Sequence, residues 1–98
     1  MAVQLRRYEV VEGQMDDLLA WFPTIMEARA KFGFKVEFML ADRERNELTW
    51  AVSHPGDFDE AFERFAASPE RAAAFADQPK RVETMHVAMV EVVIAPGS

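Results

Sequence analysis

Val82-Glu83-Thr84-Met85-His86-Val87-Ala88-Met89-Val90-Glu91-Val92-Val93-Ile94 reads as the last strand of the chain, and it is apolar on both faces. Side chains alternate along a strand, so Val82, Ala88, Val90, Val92 and Ile94 share one face while Met85, Val87, Met89 and Val93 share the other. A few helices from a chain of 98 residues suffice to cover one face of a small sheet. The other face then calls for a partner, and a second copy of the same chain is the expected one.

Working back from that strand, Gln78-Pro79 closes a short helix opened by Ser68-Pro69, with serine as cap and proline at the first helical position. Phe75 is its expected anchor. Before it, Phe58, Ala61, Phe62 and Phe65 form the buried stripe of another helix, capped by Asp57 with Glu60 in a capping box. His54-Pro55-Gly56 ends a strand in which Leu48, Trp50 and Val52 alternate with Thr49, Ala51 and Ser53. A polar turn, Asp42 to Asn46, joins it to a strand in which Phe34, Val36, Phe38 and Leu40 alternate with Lys35, Glu37 and Met39. Leu18, Leu19, Phe22, Ile25, Met26, Arg29 and Phe32 recur at helical spacing, predicting a helix from Met15 to Lys31 with a kink or restart at Pro23 and an end at Gly33. Val3 to Val11 is the first strand, stopped at Glu12-Gly13.

The order is β-α-β-β-α-β with the second helix in two pieces. This is an α+β, ferredoxin-like unit: a four-stranded antiparallel sheet with its helices on one face. One domain spans residues 1–98, without repeat, linker or low-complexity stretch, and Ala95-Pro96-Gly97-Ser98 is expected to be a frayed tail.

Half of the residues are hydrophobic, and eight Phe, two Trp and one Tyr supply ample core. A formal charge of −6 argues against nucleic acid and anionic membranes, which need a basic patch. The chain has no cysteine, hence no thiolate metal site and no cysteine nucleophile. Neither a signal core nor a span of ~18 apolar residues is apparent, so a cytoplasmic location is expected.

The first strand narrows the field. Leu5-Arg6-Arg7-Tyr8 followed by Gly13 resembles the opening of NIPSNAP-family domains, which read L-R-x-Y and then a glycine five residues after the tyrosine. Gly33-Phe34, Glu47-Leu48-Thr49-Trp50 and Ser68-Pro69-Glu70-Arg71 are similar to that family as well. The likeness runs from Val3 to Val93; Glu12 departs from it, since the family often has proline before the glycine. What the resemblance implies is a dimeric α/β barrel, two sheets packed face to face with helices outside. The wider superfamily includes small oxygenases of polyphenols or quinols, haem-degrading enzymes and isomerases. NIPSNAP-like members have no settled activity, so the resemblance bears on fold more than on function.

His54 and His86 are the two histidines, the side chains that titrate nearest neutrality. His86 is read either as a general base in a pocket or as a hydrogen-bonded core or interface residue; His54 is read as a ligand contact or a strand-end residue. Their isolation gives no metal-ligand spacing. Arg6, Tyr8 and Val10 share one face of the first strand, Leu5, Arg7 and Glu9 the other. Arg6 and Tyr8 either form the polar end of a pocket for an anionic or phenolic ligand, or Arg6 or Arg7 pairs with Glu9, Glu83 or Glu91. Trp50, with Phe22, Phe34, Phe38, Phe62 and Phe65, either lines an apolar cavity or fills it.

The expected function is a homodimeric small-molecule-binding or accessory protein, taking a small aromatic or apolar ligand without cofactor or metal. The alternative is a cofactor-independent monooxygenase or isomerase of an aromatic, phenolic or polyketide-like metabolite. There His86 and Tyr8 are catalytic, and Arg6, Trp50 and His54 bind the ligand. Haem binding would call for a pocket-facing helical histidine, and neither histidine falls in a helix.

Overall fold

A computed structural model describes residues 1–97; Ser98, the end of the expected tail, lies outside them. The elements are β1 (Ala2–Val10), α1 (Met15–Ala30), β2 (Lys35–Asp42), β3 (Glu47–His54), α2 (Phe58–Ala66), α3 (Pro69–Phe75) and β4 (Val82–Val90). They form one antiparallel sheet in the order β2-β3-β1-β4, the ferredoxin-like arrangement. Among the described residues no helix is long and apolar enough to cross a membrane.

Local chemistry places most of the boundaries. Asp57 caps α2 by accepting from the Glu60 N–H at 3.0 Å, and Ser68 caps α3 by accepting from the Arg71 N–H at 3.1 Å. Each cap satisfies a backbone donor that the first helical turn leaves free. Between β2 and β3 the backbone turns at Asn46, with φ of 58°. The Asn46 amide donates to the Val10 carbonyl at 2.6 Å, and its own carbonyl accepts from the Val10 N–H at 2.9 Å. The β2–β3 turn is thereby tied to the end of β1.

Five expectations need correction, the first in β2, where a register shift between Val36 and Phe38 puts Phe38 and Leu40, opposite Ala51 and Thr49, on the other face from Val36. α1 runs unbroken through Pro23: a proline costs a helix one hydrogen bond, and Phe22 and Ile25, buried on either side of it, hold the helix against the sheet. The buried residue of α3 is Ala74, whereas Phe75 is 42% exposed. β4 ends at Val90 rather than Ile94, where its pairing with Val3 of β1 ends. A bulge then reassigns Val82. Glu9 pairs with Thr84 but Val10 pairs with Val82, so one extra residue, Glu83, moves Val82 to the face that carries Met85.

The core lies on one face of the sheet. Tyr8, Val10, Leu48, Trp50 and Val52 point towards the helices and pack against Leu18, Phe22, Ile25, Phe58, Ala61 and Phe65. Opposed residues of paired strands point the same way, so Leu5, Arg7, Thr49, Ala51, His86 and Ala88 lie on the other, open face. β4 is one of the two edge strands, and both of its faces stay exposed: Met85, Val87 and Met89 towards the helices, Val90 on the open side.

Candidate active site

Between the helices and the sheet lies a cavity of about 160 Å³, walled by Trp50, Phe22, Phe62 and Phe65, with Phe75 and Met85 as exposed lining residues. Register places these groups. Arg6 of β1 sits opposite Trp50 of β3, and Tyr8 sits opposite Met85 of β4, so one patch of sheet contributes a cation, a phenol, an indole and a thioether. The wall is held by ring contacts, with Phe22 edge-on to Trp50 at 4.8 Å and Trp21 edge-on to Phe75 at 5.0 Å. The Trp21 N–H is used up on the Ala74 carbonyl at 2.9 Å.

Arg6 has neutral partners. Its Nε donates to the Tyr8 hydroxyl oxygen at 2.9 Å, one Nη donates to Gln4 Oε1 at 2.8 Å and the other approaches Met85 Sδ at 3.0 Å. Within one chain, neither Arg6 nor Arg7 pairs with a carboxylate across the sheet: among the described residues the ion pairs are Arg43–Asp16 and Lys80–Glu83. The Tyr8 oxygen is thus the acceptor in its bond with Arg6.

Arg29 is a cavity-lining residue that sequence reasoning did not single out. It is 5% exposed, and its guanidinium carbon lies 4.8 Å from the Phe65 ring centroid and 5.1 Å from that of Trp50. Its Nε and Nη1 are buried without an acceptor, as is the Trp50 indole nitrogen. Burial, reinforced by the neighbouring charge of Arg6, lowers the Arg29 pKa to about 10. A signal was present: Arg29 falls on the apolar stripe of α1, where a charge has to be paired, used or paid for.

The structure brings Arg6, Tyr8 and Trp50 together around this cavity and leaves the histidines elsewhere. His86 is opposite Arg7, on the open face. It faces away from the cavity because β4 pairs with β1 in the register that puts Met85, not His86, beside Tyr8. His54 is a buried structural residue. Its Nδ1 accepts from the Gly56 N–H at 2.9 Å, so Nε2 carries the proton and donates to the Phe32 carbonyl at 2.8 Å. Phe34 packs in the core, and Phe38 lies on the open face opposite Ala51. Among the described residues no cluster of three or more His, Asp or Glu side chains is placed to hold a metal.

With the geometry in hand, comparison with solved structures is informative about the fold. A NIPSNAP-family protein of unknown function from Agrobacterium tumefaciens superposes with a TM-score of 0.81 at 16% identity, over 100% of this chain and 91% of that one. An uncharacterised NIPSNAP-domain protein from Burkholderia xenovorans gives 0.79 at 16% identity, over 100% and 98%. This chain has the NIPSNAP-domain fold. A protein named as a candidate antibiotic biosynthesis monooxygenase, from Bacteroides thetaiotaomicron, shares the NIPSNAP-like architecture with a TM-score of 0.74 at 17% identity, over 99% and 93%. No protein-family model matches the chain, and no curated protein matches it.

Proposed function

We propose that this NIPSNAP-like chain is a homodimeric small-molecule-binding protein whose cavity takes a single flat ring. The observation that carries the reading is an aromatic-walled space of about 160 Å³ inside a domain of 98 residues. Native cores have few voids larger than a water molecule, and a dry cavity of ~150 Å³ holds benzene. The volume therefore suits one ring with a small substituent, and is too small for the fused rings of a polyketide.

The dimer rests on the open face. Leu5, Ala51 and Ala88 form an apolar row across β3, β1 and β4. Beside it Glu9 stands directly opposite Glu47, a like-charge pair that costs stability when alone, while the exposed Arg7 has no carboxylate among the described residues. Two-fold packing of this face would let Arg7 of one copy meet the acidic pair of the other.

A second reading, a cofactor-independent monooxygenase or isomerase of an aromatic metabolite, is favoured by the Tyr8 hydroxyl, held by Arg6 at the cavity wall. Binding is the stronger reading because the described lining residues include no histidine or carboxylate to take a proton. The test is a titration with toluene followed by calorimetry and Trp fluorescence, alongside native mass spectrometry. Saturable binding at one site per chain and a mass near twice 11.2 kDa are expected. Absence of saturation rejects the cavity reading, and a monomer at micromolar concentration rejects the dimer.

A further inference from the structure

The cavity is chemically one-sided. Arg6, Arg29 and Arg71 line it, and among the described residues no acidic side chain does. Arg6 spends its donors on Tyr8, Gln4 and Met85, and Arg71 lies over the outer ring of Phe75 at 4.5 Å. The donors left unmet belong to two lining residues and are buried: Arg29 Nε, Arg29 Nη1 and Trp50 Nε1. All three are donors. Buried donors without acceptors are rare in native proteins, because each costs about 1–3 kcal/mol relative to a satisfied one. A charged one costs more, and the surrounding rings, attractive as they are to a cation, accept no conventional hydrogen bond.

We propose that the ligand of this cavity is a single-ring aromatic carboxylate, with its anionic group held by Arg29 and the Trp50 indole N–H and its ring against Phe22 and Phe65. The inference rests on the ring-binding reading above and adds the charge and the identity of the polar group. An anion satisfies what a neutral ring leaves unmet: the donors gain acceptors and the buried guanidinium gains a counter-ion. Charge-assisted hydrogen bonds of this kind are roughly twice as strong as neutral ones. The volume restricts the ligand to one ring, and the absence of acidic lining residues removes the repulsion that would otherwise oppose an anion. The exposed Phe75 and Met85 leave an approach from the side of α3 and β4.

The test uses the full chain and three probes of nearly one shape: benzoate, its neutral isostere benzamide, and toluene. Calorimetry at pH 7 is expected to show benzoate binding at least tenfold tighter than benzamide. Trp50→Phe keeps a ring and removes the N–H, and Arg29→Met keeps the length and removes the charge. Each is expected to weaken benzoate at least tenfold and to remove most of its advantage over benzamide, a ratio that a mere change in the shape of the wall would leave in place. Should Arg29→Met fail to fold, as judged by circular dichroism, Trp50→Phe and the wild-type preference for benzoate still decide. Benzamide binding as well as benzoate, or benzoate binding unchanged by Trp50→Phe, overturns the carboxylate assignment. Toluene bound without any preference for benzoate leaves the ring-binding reading standing and rejects only the anion; no binding of any probe rejects both.

Discussion

Exchanging Arg29 for methionine sets two properties of the cavity against each other, and the structure supplies the magnitudes. Arg29 is 5% exposed and no carboxylate among the described residues pairs with it. The Arg29 pKa is lowered from the ordinary arginine range to about 10. At 1.36 kcal/mol per pH unit this means that folding disfavours the charged side chain by roughly 3 kcal/mol. The aromatic rings give part of this back: Phe65 at 4.8 Å and Trp50 at 5.1 Å contribute about 1 kcal/mol each. Methionine fills a similar space and has its own sulfur–aromatic contacts, worth about 0.3–1.5 kcal/mol. The desolvation cost wins, so Arg29→Met is expected to stabilise the ligand-free protein by about 1–2 kcal/mol, in line with other replacements of buried charges by apolar side chains. For a domain of this size each kcal/mol raises Tm by about 4–8 °C.

Urea unfolding of both chains at pH 7, with equal m-values, measures the difference. The pH dependence supplies a second check. The folded chain releases the Arg29 proton near pH 10 while the unfolded chain holds it to higher pH, in the ordinary arginine range. In that window the unfolded state binds more protons, so unfolding free energy rises with pH. The cost of Arg29 is fully present below pH 10 and fades above it, so the advantage of methionine is constant around neutrality and shrinks in alkali. An Arg29→Met protein less stable than wild type by more than about 1 kcal/mol would refute the reasoning, because ring contacts would then outweigh desolvation.

Tyr8→Phe removes the acceptor of Arg6 Nε and is expected to cost about 1–3 kcal/mol, read from the urea midpoint; an unchanged midpoint means that water replaces the hydroxyl. Gly33→Ala places a Cβ 2.7 Å from His54 Nε2 at a φ of +89°, and a loss of at least about 1 kcal/mol in thermal melts is expected from the left-handed backbone alone. Ala88→Glu adds a charge to the middle of the open face, beside Leu5. Sedimentation velocity is expected to show a dimer for the wild type and a folded monomer for this variant, and an undisturbed dimer would place the interface elsewhere.

How much of this was legible in the residues is clearest at particular positions. Asp57 with Glu60 and Ser68 with Pro69 announce helix starts, because a cap is a local interaction within one turn. Alternation puts Arg6 and Tyr8 on one face of β1, and apolar residues on both faces of β4, for an equally local reason. Arg29 was visible on the stripe of α1 as an anomaly. Its meaning was not, because whether a buried cation finds a carboxylate depends on residues far away in the chain.

The histidines mark the boundary between the two kinds of knowledge. Alternation groups His86 with Thr84 and Ala88, but cannot say which face of β4 joins the face of β1 that carries Tyr8. That choice is the register between strands, and a shift of one residue would exchange the two faces. The pairing of Tyr8 with Met85 and of Arg7 with His86 sends the thioether to the cavity and the imidazole to the open side. His54 is likewise assigned by its neighbours, the carbonyl of Phe32 and the amide of Gly56. Composition and periodicity thus sufficed for element order, caps and the two-sided strand. Packing of distant segments was needed to form the cavity, gather three arginines around it without a counter-ion, and keep both histidines out of it.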